Sequence, residues 1–210
     1  MTGGQRDKIW YDDLMKKLLA IIVLGLLWSN VGSTSEFEWI KNQTQHRMAN
    51  GLANDDKFKD LLEKEIPKKN IYLGMSKKTK DPLIDSFLEV LGGPPNEIIY
   101  LDDKNYITVS ACRSQSCDEK GFVFINTEEK FIIGLIRHFF IDDEETKSFD
   151  EGDFLIFSKT HKSFNEIPKV FIQSVENWII NGSRSNTSPN KVRFIGSDNK
   201  IYEVENVFNN

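Results

Sequence analysis

The chain has 210 residues, a formal net charge of -5 at pH 7, 39% hydrophobic and 28% charged residues. That length suits one domain with a real core and is marginal for two. An acidic balance argues against nucleic acid, whose recognition rests on basic patches that neutralise phosphates; it favours a basic partner, but weakly.

In chain order, the first patterned segment is Met15-Lys16-Lys17, followed by the apolar run Leu18 to Trp28 and then small or polar residues, Ser29 to Ser35. This order of basic start, apolar centre and small-residue ending is that of a secretory signal. The apolar run falls short of the roughly 18 residues that a membrane-spanning helix needs. Val31 and Ser33 suit the positions before a cleavage point, so residues 1–33 are expected to be an N-terminal extension and signal peptide. The exported chain then begins near Thr34, with a retained anchor as the alternative. No cysteine follows the apolar run, which excludes a lipoprotein, and Met15 makes a better start than Met1.

Residues 36–53 are polar with scattered apolar positions and read as a loose lead or partial helix. Phe58, Leu61, Leu62 and Ile66 recur at helical spacing behind Asp55 and Asp56, which predicts a helix over 54–65 ended by Pro67. Lysines crowd 68–80, a solvated connector. Asp81 as N-cap, Pro82 at the first helical position and Gly92 past the end punctuate a second helix, with Leu83, Ile84, Phe87, Leu88 and Leu91 on its buried stripe. Gly92-Gly93-Pro94-Pro95 then breaks the chain, and the pattern turns strand-like.

Strands are expected at 97–101 and 105–112 about the turn Asp102-Asp103-Lys104, at 120–126, at 130–141 after a turn at 127–129, and at 153–158. The segment Phe131 to Ile136 is apolar on both faces, as a central strand covered on each side would be. Residues 142–152 are acidic and turn-rich. Asn165 caps a helix to Ile180 that packs through Val170, Phe171, Val175, Trp178 and Ile179. Residues 181–190 form a flexible link, and two last strands, 192–195 and 201–204, turn at Ser197-Asp198-Asn199. The pattern predicts an α+β fold: an antiparallel β-meander sheet packed with helices, with a disulfide-closed loop between two strands. One domain over 34–180 is expected, with 181–210 as a linker and C-terminal β-hairpin extension.

The chain's two cysteines, Cys112 and Cys117, close the polar run Arg113-Ser114-Gln115-Ser116 between two strand patterns. Export makes a disulfide between them the default expectation. For so short a loop the chain-entropy gain is only about 2 kcal/mol, so its role would be to hold a local shape. Redox-active pairs usually take Cys-x-x-Cys spacing at a helix N-terminus, and neither feature is present. His46, His138 and His161 have no partner at metal-ligand spacing and read as structural or surface residues, so neither metal nor cofactor is implied. There is no Gly-rich phosphate loop and no Gly-x-Ser-x-Gly elbow. The acidic run Asp142 to Glu145 has the look of an exposed turn, and paired acids for glycoside hydrolysis would have to come from separate segments. The chain is expected not to be an enzyme; an exported enzyme with an unrecognised carboxylate site is the competing class.

The run Tyr106-Ile-Thr-Val-Ser-Ala-Cys112-Arg-Ser-Gln-Ser-Cys117 resembles the signature region of the inhibitor of vertebrate lysozyme family, Ivy. Gly92-Gly93, a proline at 94 or 95, the strand at 121–126 and Gly134-Leu135 extend the likeness over roughly 81–160. The family is bacterial and periplasmic, and its disulfide-closed loop, Cys-Lys-Pro-His-Asp-Cys, inserts into the lysozyme substrate cleft and addresses the catalytic carboxylates through its histidine. In this chain Arg113 stands at the lysine, Ser114 at the proline, Gln115 at the histidine and Ser116 at the aspartate. A glutamine amide still donates hydrogen bonds but carries no charge. The resemblance implies an Ivy-like domain in the bacterial envelope, with Arg113 and Gln115 meeting the partner's carboxylates while Ser114 and Ser116 shape the loop. The implied partner is a lysozyme-type glycoside hydrolase or another envelope hydrolase of peptidoglycan. Nucleic acid and stable membrane insertion after signal cleavage are not expected, and a homodimer remains open. A disulfide-stabilised envelope binding protein without inhibitory activity is the other reading.

Overall fold

The computed structural model describes residues 31–43, 48–72, 79–138, 152–181 and 189–208. The chain divides into two units, 1–40 and 41–210. In the first, the described residues begin the helix α1 (Val31–Lys41). The expected signal segment up to residue 30 lies outside the described residues. Among the described residues no helix is long and apolar enough to cross a membrane.

The second unit begins with two short helices, α2 (Ala49–Ala53) and α3 (Asp56–Glu65). The expected acidic start of α3 is present: Asp55 is its N-cap, and its side chain accepts the Lys57 amide at 2.9 Å. Strands β1 (Asn70–Ile71) and β2 (Asp81–Pro82) form a small antiparallel pair. That pairing makes Pro82 the N-cap of α4 (Leu83–Leu91), one position later than expected, because Asp81 is held in the ladder. Gly92 ends α4 as the sequence predicts.

The α+β class is as expected. Strands β3 (Ile99–Leu101), β4 (Tyr106–Arg113), β5 (Ser116–Asn126), β6 (Phe131–His138) and β7 (Asp153–Phe157) form an antiparallel meander. The chain then crosses the sheet through α5 (Lys169–Asn181), and β8 (Val192–Ile195) joins β7 in parallel before β9 (Ile201–Val204) turns back. The seven-stranded sheet is therefore mixed, not a pure meander. A parallel neighbour needs a long crossover, which the segment carrying α5 supplies. The expected C-terminal extension is thus part of the sheet: Val192, Phe194 and Ile195 are fully buried. Pro168 delays α5 relative to the expected start at Asn165; a 3-10 turn, Phe164–Glu166, takes its place. Most of the expected flexible link, 182–188, lies outside the described residues.

Both faces of the central strands are covered, as the apolar run in β6 predicts. On one face Phe122, Phe124, Phe154 and Phe194 pack with Phe171 and Val175 of α5. The opposite face, with Val109, Val123, Ile136 and Phe157, is buried under the helices α2 to α4. Phe87 of α4 meets Phe157 edge-on at 4.8 Å. Gly134 is required there, since a Cβ would lie 2.0 Å from the Phe157 ring.

Candidate functional site

The cysteine-flanked segment folds as the end of the β4–β5 hairpin. Arg113 pairs with Ser116, so the turn is Ser114-Gln115, and both residues are exposed. Gln115 has φ 68°, a left-handed conformation that a side-chain-bearing residue adopts at a cost. The register shifts between Cys112 and Arg113, leaving Cys117, Asp118 and Glu119 as a bulge in β5.

The outer side of the hairpin is braced by the Gly-Gly-Pro-Pro run that the sequence marks as a chain break. The Gly93 amide donates to the Cys112 carbonyl, the Cys112 amide to Pro94 and the Asn96 amide to Ser110, each at 2.9 Å. A Cβ at Gly93 would lie 2.6 Å from the backbone of Arg113 and Ser114, so only glycine permits this approach. The segment is in effect a short added strand that fixes the base of the tip.

Cys112 and Cys117 are free thiols here, close to one another but not joined, which corrects the expected disulfide. The bulge explains this: Cys112 faces Lys120 across the ladder, so Cys117 is not its cross-strand partner. Burial, then the hydrogen bond with Cys117, pushes the Cys112 thiol up to about 12. A thiol protonated at neutral pH is a poor nucleophile, which argues against Cys112 as the attacking group of a redox pair.

Arg113 also differs from expectation. Its guanidinium turns back into the chain, meeting Glu119 Oε2 at 2.5 Å and Glu89 Oε1 of α4 at 2.6 Å. It therefore holds two carboxylates of its own protein instead of presenting charge at the tip. Ser116 is half-buried. Of the expected contact residues, Ser114 and Gln115 are the ones that face outward.

Behind Arg113 lies a buried polar layer at the end of the sheet. His138 Nδ1 stands 3.8 Å from Glu119 Oε1, too far for a hydrogen bond and close enough for electrostatic attraction. Burial pushes the Glu119 carboxyl up, and the neighbouring His138 and Arg113 more than reverse this, holding it below the ordinary carboxylate range. Burial lowers His138 despite the pull of Glu119, so the fully buried ring is neutral at pH 7. Asp153, next along, accepts from Arg193 at 3.3 Å and from the Lys191 amide at 3.1 Å. Enclosed and cross-linked in this way, the layer positions the hairpin and offers no open catalytic pair.

His161 lies 2.8 Å from the Ser158 hydroxyl, a pairing seen in nucleophilic sites. Ser158 is fully buried, however, and its Oγ also donates to the Ile132 carbonyl and accepts the Thr160 and His161 amides. This serine closes a turn. His46 and the acidic run 142–145 lie outside the described residues, among which no group of three His, Cys, Asp or Glu is placed to hold a metal.

A feature that sequence reasoning missed is a cleft of about 270 Å³ between β4 and α5, with Thr108, Ser110, Phe122 and Trp178 in its walls. Its signal was available: Thr108 and Ser110 are hydroxyl residues on a strand whose other face, Ile107, Val109 and Ala111, is apolar. No family model, curated protein or solved structure matches this chain.

Proposed function

We propose that the chain is an exported Ivy-like protein whose β4–β5 tip enters and occludes the substrate cleft of a lysozyme or related peptidoglycan-cleaving enzyme. The observation that carries this reading is the braced tip: exposed Ser114 and Gln115 project from a hairpin held by the Gly93 close approach and by the Arg113 ion pairs. Occlusion needs no chemistry on the inhibitor's side, only a preorganised shape and a hydrogen-bonding end. Gln115 supplies that end, since its amide donates to the carboxylates that line such a cleft. Export to the bacterial envelope rests on the segment from Met15 to Ser35.

Arg113 has a supporting role in this reading: it positions the tip, and the contact with the partner is neutral. That observation also favours a second reading, an envelope binding protein whose hairpin meets a less acidic target and leaves lysozyme active. The exposed Asp118 beside the tip points the same way, because it would repel a carboxylate-lined cleft.

Initial rates of several lysozymes on cell walls decide between the two. Under the first reading the protein lowers the rate dose-dependently, and Gln115→Ala relieves the inhibition while the fold is kept. Unchanged rates at micromolar excess of protein would overturn the inhibitor reading in favour of the second.

A further inference from the structure

The cleft between β4 and α5 belongs to neither the hairpin nor its ion pairs. Its floor is aromatic: Phe122 and the half-buried Trp178 lie with ring centroids 5.1 Å apart and planes inclined by 42°. Its walls are polar at depth, with Thr108 and Ser110 each 5% exposed. Ser110 Oγ accepts from the Asn96 amide at 2.9 Å, which leaves its own proton free to donate. Thr108 also lines the cleft, and its hydroxyl makes no side-chain hydrogen bond among the described residues. A hydroxyl that opens onto a cleft can donate and accept, so this wall offers polar contacts to a group from outside.

The lining also defines that group. Glu97 at the mouth is the only charged residue among those described in the lining, so an anion would meet repulsion with nothing to neutralise it. An acyl chain would cover Thr108, Ser110 and Asn177 without satisfying them. What fits is a small neutral molecule with one apolar face and several hydroxyls. Beside the cleft, Ile99 and Leu101 are 53% and 37% exposed and give an apolar rest for a methyl-bearing substituent.

We propose that this cleft binds one neutral sugar ring of the N-acetylhexosamine class. The C–H face of the pyranose stacks on Trp178, as apolar faces do on large aromatic rings. Thr108, Ser110 and Asn177 take the ring hydroxyls, and the acetamido methyl rests on Ile99 and Leu101. Binding is non-covalent and reversible.

The test is a titration of the full-length protein with N-acetylglucosamine and with chitotriose, followed by backbone amide shifts. The expected result is saturable binding in the millimolar range or tighter, with shifts confined to β3, β4 and α5. Thr108→Val keeps the shape and removes the hydroxyl; it should weaken binding by about tenfold. Trp178→Ala should weaken it further, but Trp178 also packs on Phe154, so Thr108→Val is the deciding variant. Absence of shifts at about 20 mM sugar would overturn the proposal, as would wild-type affinity in Thr108→Val. Equal affinity for glucose would overturn the assignment of the acetamido class, and saturable octanoate binding without sugar binding would make the site apolar. The inference does not depend on lysozyme inhibition, because that assay reads Gln115 and this one reads Thr108.

Discussion

The middle of the sheet and the hairpin at its end are held by opposite kinds of force. In the middle, phenylalanines from β5, β7 and β8 pack against α5, and Val109, Val123, Ile136 and Phe157 fill the other face beneath α2 to α4. At the hairpin, backbone close approach at Gly93 and the Arg113 ion pairs hold the chain. Non-directional burial gives the first region most of its stability. Directional contacts give the second a defined shape, which is what a contact surface requires. It follows that the tip can be altered in function without unfolding the protein, and that the interior cannot be altered so lightly.

Three substitutions and a change of pH test this contrast in order of falling effect. Phe154→Ala opens a cavity beneath Trp178 and Phe208 and should cost about 3–5 kcal/mol, read as a lower urea midpoint. Arg113→Ala leaves the buried Glu119 facing His138 without its cation; a loss of about 3 kcal/mol is expected, together with displaced amide signals from Cys112 to Lys120. Gly93→Ala forces a Cβ against the hairpin backbone. It should cost about 1–3 kcal/mol, and its spectral changes should stay at the hairpin end while signals of β6 and β7 hold still.

Acidification gives the mildest effect. His138 has a lowered pKa in the folded protein, so the unfolded chain takes up that proton first. Its contribution is full above about pH 6.5 and falls as the pH drops towards the folded value. Glu119 is also lowered, and adds stability that is present above about pH 4.3 and is lost as the pH falls through its folded pKa. Urea midpoints measured between pH 7 and pH 5 should therefore decline in the native protein and decline less in His138→Gln, where His161, also lowered by burial, still contributes. A decline of equal size in that variant would remove His138 from the account.

Much of the scaffold was legible in the residues. A two-residue period is legible in β4, where Thr108 and Ser110 alternate with Ile107, Val109 and Ala111, and the apolar run Phe131 to Ile136 announced a strand buried on both faces. Asp55, Pro67 and Gly92 bounded the helices through local backbone chemistry. The prolines were less easily read. Pro168 moved the start of α5, and Pro82 became a cap because Asp81 was drawn into a ladder with Ile71, a partner distant in sequence.

The candidate site was legible only as a location. Sequence spacing marked Cys112 to Cys117 as a short loop between strands, and the hairpin is there. Periodicity and turn chemistry act between near neighbours, so by itself the sequence determined the class of fold, the order of elements and where the tip would be. Tertiary structure decided the rest, because each outcome depends on segments far apart in the chain. The parallel docking of β8 on β7, the turning of Arg113 towards Glu89 and the bulge that parts the thiols are of this kind. So is the placing of Thr108 and Trp178 in the lining of one cleft, which no local pattern encodes.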